Sequence, residues 1–168
     1  TNNIMVNLNY RFDYLWSHAI STTYVYVQKE DEYKDRDLNF IDPGMLTRVM
    51  NVSLSTKYKI PLKTNINITS NSTELSIGPG VKGAQKFSTF NFDAKYPFMS
   101  NKILANGGLN IASGSGTVDV SWIGLKFGLQ YRIIDNLSFN TQGEFRSKET
   151  NGQSANTIIA RANLDYSF

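Results

Sequence analysis

The chain of 168 residues suits one domain, and its lack of cysteine excludes a disulfide framework and a thiolate metal site. A net charge of +3 and an isoelectric point near 9.0 come from basic residues dispersed along the chain, which gives no footing for nucleic-acid binding. Mean hydropathy is −0.32, and no apolar run approaches the roughly 18 residues of a membrane-spanning helix.

In chain order, the pattern is one of alternation. Ile4, Val6, Leu8, Tyr10 and Phe12 oppose Asn7, Asn9 and Arg11, a period of two that predicts a strand with one apolar and one wet face. Ser17 to Gln28 is strand-like, with Tyr24, Val25, Tyr26 and Val27 in sequence, but its inward face is not evident. Met50, Val52, Leu54, Thr56, Tyr58 and Ile60 oppose Asn51, Ser53, Ser55, Lys57 and Lys59. A weaker return strand follows, with Ile66 and Ile68 between Asn65, Asn67 and Thr69. Phe90, Phe92, Ala94, Tyr96 and Phe98 oppose Asn91, Asp93 and Lys95, and Ile103, Ala105, Gly107, Leu109 and Ile111 alternate with Asn106, Gly108 and Asn110. Ile123, Leu125, Phe127, Leu129, Tyr131 and Ile133 oppose Gly124, Lys126, Gly128, Gln130 and Arg132. Leu137, Phe139, Thr141, Gly143 and Phe145 alternate with Ser138, Asn140, Gln142, Glu144 and Arg146. The last stretch sets Ile158, Ala160, Ala162, Leu164, Tyr166 and Phe168 against Thr157, Ile159, Arg161, Asn163, Asp165 and Ser167.

Five of these runs close on a Tyr-x-aromatic or Tyr-x-Ile ending: Tyr10-Arg11-Phe12, Tyr58-Lys59-Ile60, Tyr96-Pro97-Phe98, Tyr131-Arg132-Ile133 and Tyr166-Ser167-Phe168. Their spacings of 48, 38, 35 and 35 residues are about one long hairpin each. An aromatic ending at one end of every second strand is what a membrane interface imposes on a transmembrane barrel, where aromatic girdles edge the apolar band. A soluble sandwich also alternates, but its strands average about 5–6 residues. The runs here reach 11 to 13, near the roughly 9–11 that a tilted strand needs to cross a bilayer, and no apolar face of the five runs carries a charge. The expected fold is all-β: an antiparallel transmembrane barrel of about nine strands, with residues 1–168 as one domain.

Connections sort by side. Short turns are expected at 13–17, 61–63, 99–102 and 134–136, after each aromatic ending, and longer polar loops at about 28–47, 70–86, 112–119 and 147–155. Outer-membrane barrels have short periplasmic turns and longer extracellular loops, which puts the tyrosine endings on the periplasmic side.

The final strand, with Leu164, Tyr166 and Phe168, resembles the β-signal of bacterial outer-membrane β-barrel proteins, which ends in an aromatic and is read by the barrel assembly machinery. The resemblance is one of architecture over nearly the whole chain and points to no single family. It implies a bacterial outer-membrane location, with membrane lipid and the assembly machinery as partners and other chains of a membrane complex as further candidates. Nine strands depart from the even number of bacterial single-chain barrels. Thr1-Asn2-Asn3 also runs straight into a strand with no signal peptide. The expectation is therefore the C-terminal part of a larger barrel. A closed nine-stranded barrel, as in the odd-stranded mitochondrial porin, and a further strand between Asp31 and Thr47 are the alternatives.

Candidate chemistry is sparse. His18, the single histidine, falls beside a periplasmic turn and next to Trp16, where a headgroup-level polar residue is the expectation. The acidic run Glu30, Asp31, Glu32, Asp35 and Asp37 is interrupted by Lys29, Lys34 and Arg36 and lacks the spacing of an EF-hand loop, so it reads as a solvated loop. Gly78-Pro79-Gly80 and Gly114-Ser115-Gly116 read as turns, without the helix and Lys-Ser/Thr pair of a phosphate-binding loop. No catalytic, cofactor or metal residue is expected, and the chain is expected not to be an enzyme.

The phase of the strands points Arg11, Lys57, Lys59, Lys95, Lys126, Arg132, Arg146 and Arg161 inward against Asp93, Glu144 and Asp165. A basic lumen follows, and rings of Arg and Lys favour anions. Two functions stand open: a porin-like or transport channel, or a non-conducting barrel that serves as a membrane anchor or a subunit of a complex. Deleting Phe168 removes one interfacial aromatic and is expected to reduce sharply the amount of protein reaching the outer membrane while changing the stability of the finished barrel little. Normal membrane levels of the truncated protein in cells contradict this.

Overall fold

The computed structural model describes residues 2–30, 44–78, 81–116 and 119–166. Phe168 and the acidic positions 31–37 lie outside them. The described residues form nine strands: β1 (Asn2–Tyr14), β2 (Trp16–Glu30), β3 (Gly44–Lys57), β4 (Lys63–Gly78), β5 (Val81–Phe98), β6 (Ile103–Ser115), β7 (Val120–Ile134), β8 (Leu137–Thr150) and β9 (Gln153–Tyr166). They make a single sheet in sequence order, every neighbour antiparallel. Among the described residues β1 and β9 pair with each other nowhere, so the sheet is not closed. The five tyrosine-ended strands finish on one side, as their shared phase predicts.

The register carries the strand tilt. Tyr10 shares a row with Ile20, Leu54, Ile66, Phe92, Leu109, Leu125, Phe145 and finally Ile158 on β9. The tyrosine that ends β9, Tyr166, lies eight residues further along. Eight residues of about 3.4 Å over eight strand spacings of about 4.8 Å give a slope of about 35°. That is the tilt of strands in transmembrane barrels, so the line of tyrosines lies level while the strands cross it obliquely.

The face that carries these tyrosines is apolar and open. Ile158 is 80% exposed, Phe127 69%, Leu8 66% and Leu164 64%. The described residues hold almost no interior of their own, since Ala112 is the apolar residue that is fully buried. In water such a surface is an aggregation hazard, whereas in lipid it is at rest. On this face the Phe127 ring covers Gly143 directly opposite on β8, an aromatic shielding a glycine that brings no side chain of its own.

Of the long loops expected on the side opposite the tyrosines, the first lies largely outside the described residues, and the other three are mostly strand. Strands run on through 70–78, 81–86, 112–115 and 147–150, and β8 turns into β9 through Asn151 and Gly152 alone. Both have positive φ, 48° and 80°, the backbone of the tight hairpin that Asn-Gly favours. The turn is tied to the next hairpin by Asn151 N–H to the Asp119 carbonyl at 3.0 Å. The extended segments mimic loops because their outward residues change character. Ser70, Ser88, Ser113 and Ser121 form one row on adjacent strands, just past the last outward Ile and Phe. Beyond them Arg48 and Glu74 pair at 3.6 Å, both about half exposed. At 18 residues, β5 stands on the order of 50 Å tall at this tilt, about twice the ~25 Å apolar belt of a barrel, so its upper part projects into water. Near the other end of β7 a bulge between Arg132 and Ile134 makes Ile133 the extra residue, and Ile134 rather than Ile133 pairs with Leu137.

Phe127 and Gln130 give a direct check on which face meets lipid. Phe127→Arg is expected to cost about 2–4 kcal/mol in a bilayer and Gln130→Arg less than about 0.5 kcal/mol, measured by denaturant unfolding from lipid vesicles. Equal costs contradict the assignment.

Candidate functional site: the polar face of the sheet

The opposite face gathers most of the charge and amides. At its centre Asn67 donates to Asn51 at 2.8 Å, Ser55 donates to Asn65 at 2.9 Å, and Asn110 donates to Asn91. These amides sit where the period of two places them, each satisfied by a partner on the adjacent strand, directly opposite or two residues off in register. A band of short polar side chains with paired amides keeps the face wet without fixing a charge there.

One register step toward the tyrosine side the row reads Arg11, Ala19, Ser55, Asn65, Asp93, Gly108, Lys126 and Glu144. A Cβ on Gly108 would sit 2.8 Å from the Asp93 Oδ1, so the carboxylate leans over the glycine toward the strand that carries Lys126. Glu144 is taken by Arg146, whose Nε donates to it at 3.1 Å. Asp93, Lys126 and Glu144, with Lys95, Asn106, Gln142 and Arg161, line a concavity of about 170 Å³.

The next row is the most basic. Lys57 lies directly opposite Lys63, and Lys63 directly opposite Lys95. Like charges directly opposite one another on adjacent strands are unfavourable, and none of the three forms an ion pair among the described residues. Further along, Arg132 and Asp165 flank Ser138 on β8, with Asn140 donating to the Asp165 carboxylate.

The expected basic residues largely share this face. Arg11, Lys57, Lys95, Lys126, Arg132, Arg146 and Arg161 fall on it with Asp93, Glu144 and Asp165. Lys59 does not: β3 ends at Lys57, and Tyr58 N–H to the Leu62 carbonyl at 3.2 Å closes a turn that carries Lys59 off the sheet. Lys63 and Lys148 belong to the face although they fall at the rim of an expected turn and inside an expected loop. Their signal is the phase they keep with Asn65 and with Arg146. Leu164 and Tyr166 stand on the apolar face, 64% and 53% exposed. His18 also stands there, stacked 4.8 Å from Phe12, edge-on to Trp16 at 6.1 Å, with Nδ1 3.0 Å from the Thr56 hydroxyl.

No protein-family model and no curated protein matches the sequence. Solved structures match the fold. In-vitro folded OmpT, an outer membrane protein of Vibrio cholerae, aligns with a TM-score of 0.59 at 9% identity over 99% of this chain and 80% of that one. OmpT expressed in the outer membrane and an OmpT variant lacking loop L8 each align with a TM-score of 0.53, at 8% and 9% identity. This chain spans a little over half of the length of each, 56% and 54%. The likeness overturns one expectation: exclusion of enzymatic function does not stand, because a barrel fold shared with these proteins at 9% identity is compatible with catalysis as well as with passage of solutes. What stands is the architecture: the chain has the fold of bacterial outer-membrane β-barrel proteins, and its exposed apolar belt suits it to that membrane.

Proposed function

We propose that the polar face lines the lumen of an outer-membrane pore that passes solutes and prefers anions. The observation that carries this is the charge balance of that face. Ten cations lie on it, Arg11, Lys29, Lys57, Lys63, Lys95, Lys126, Arg132, Arg146, Lys148 and Arg161, against the four acids Asp13, Asp93, Glu144 and Asp165. One of the acids is committed to Arg146. The excess is greatest at the tyrosine-girdled end, where the lysines of β3, β4 and β5 stand side by side. Positive charges in a narrow, low-dielectric passage concentrate anions far more than the same charges on an open surface.

Width follows from closure. Backbone groups at a sheet edge cannot be left unpaired in lipid, so in the membrane β1 and β9 pair either with each other or with further strands. About eight strands close around side chains alone, and 16–18 leave an aqueous channel. Nine strands contributed to a wider barrel therefore suit a water-filled pore.

Reversal potentials across a planar bilayer under a potassium chloride gradient test the proposal. Anion preference is expected, weakened in the Lys57→Gln, Lys63→Gln, Lys95→Gln triple variant and at high salt, where screening shortens the reach of each charge. Cation selectivity, or absent conductance from correctly folded protein, overturns the pore and favours the anchor or subunit function.

A further inference from the structure

Above the amide band the two faces exchange character. The outer face turns to serine at Ser70, Ser88, Ser113 and Ser121. At the same height the inner face turns apolar: Val25 lies opposite Val49, and across Asn71 the row continues to Phe87 and, past Gly114, to Val120. These inner residues begin at the upper edge of the apolar belt and stand on the face turned from lipid, so lipid does not account for them. Water on both sides makes such a patch costly unless something apolar covers it.

We propose that Phe87, Trp122 and Lys148 form a binding ledge for an organic anion with an apolar body. The aromatic part is built rather than incidental. A Cβ on Gly114 would meet the Phe87 ring at 3.0 Å, so the ring lies down on a strand that leaves room for it. Its centroid is 5.4 Å from that of Trp122 at an angle of 43°. The indole is held by its Nε1–H, which donates to the Asn110 Oδ1 at 2.5 Å, and Asn110 is itself anchored on Asn91. Two tethered rings side by side offer a flat apolar surface at little cost in side-chain freedom.

The charge stands beside it. Lys148 on β8 is directly opposite Trp122 and forms no ion pair among the described residues, whereas Arg146, two residues away on the same face, is taken by Glu144. Directly opposite Phe87, the Asn71 side-chain oxygen is buried and has no donor among the described residues. Together these define the class: an aromatic or alicyclic body on the rings and a carboxylate or similar anion on the lysine. A neutral apolar solute leaves Lys148 unused, and a small inorganic anion leaves the rings wet. The site is independent of conduction, because binding is read on the folded protein whether or not it forms a pore.

Fluorescence of the full protein folded in detergent tests it. The chain has two tryptophans, and Trp16→Phe removes the one on the outer aromatic girdle, leaving Trp122 as reporter. The heavy-atom quencher 4-bromobenzoate is expected to quench Trp122 with a saturable curve, while 4-bromobenzyl alcohol and sodium bromide quench weakly and without saturation. Lys148→Gln, an exposed change, is expected to weaken the bromobenzoate affinity roughly tenfold, the order of one charge-assisted contact. Equal curves for the acid and the alcohol, or an unchanged curve in Lys148→Gln, overturn the site. Trp122 shielded from bromobenzoate and bromide alike also overturns it, because the protein itself then covers the ledge.

Discussion

Everything in this molecule depends on pairing its backbone without help from water. Within lipid an unsatisfied N–H or C=O costs several kcal/mol, so a chain with no spanning helix among its described residues crosses as a continuous hydrogen-bonded sheet. That requirement explains why strands of 13 to 18 residues replace the short strands of soluble sheets. It explains why every neighbour among the described strands is antiparallel and consecutive, since each connection returns the chain beside the strand it has just left. It also leaves stability to the backbone ladder and to the match between surface and solvent, because a sheet with scarcely any buried apolar residue has no core of the ordinary kind.

A second constraint rides on the first. The two faces of the sheet meet different media, and the boundary between those media crosses the strands at an angle. On the outer face the change from Phe90 to Ser88 marks one edge of the belt and the tyrosine line marks the other. On the inner face, amides hold the middle, lysines the girdled end and aromatics the projecting end. The candidate pore and the candidate ledge thus come from the same period of two, read at different heights. Conduction would use the cations of the lower part, whereas recognition of an apolar anion would use the rings above the amide band.

The fold was legible in the sequence where the outer face stays apolar for a full crossing. The runs through Phe127 and Ile158 show this, as do the tyrosine endings that share their phase. β2 was opaque for a physical reason. Its outward positions include His18 and Thr22, and its inward positions include Val25 and Val27, which belong to the projecting apolar part of the inner face. Polarity inverts within one strand, so no single phase describes it. The same inversion disguised the upper strands as loops, because serines on the outer face beyond the membrane look like turn residues. Asn151-Gly152 carried the hairpin signal that an expected loop at 147–155 passed over. Most of the basic face was readable by phase. Lys59 was misplaced because alternation persists one step past the end of β3, where the pairing has already given way to a turn. The ring pair of Phe87 and Trp122 was unreadable, since it joins strands 35 residues apart in the chain.

Where lipid begins and ends along β5 tests most directly that the sheet crosses the membrane. The chain has no native cysteine, so single cysteines at Lys86, Ser88 and each position from Phe90 to Lys95 can carry an environment-sensitive label in bilayers. Brominated lipid is predicted to quench labels at Phe90, Phe92 and Ala94, and aqueous iodide those at Asn91, Asp93 and Lys95. Ser88 and Lys86, on the same face as Phe90, are predicted to respond to iodide rather than lipid. Lipid quenching that continues through Ser88 and Lys86, or that shows no alternation between Phe90 and Lys95, contradicts the account.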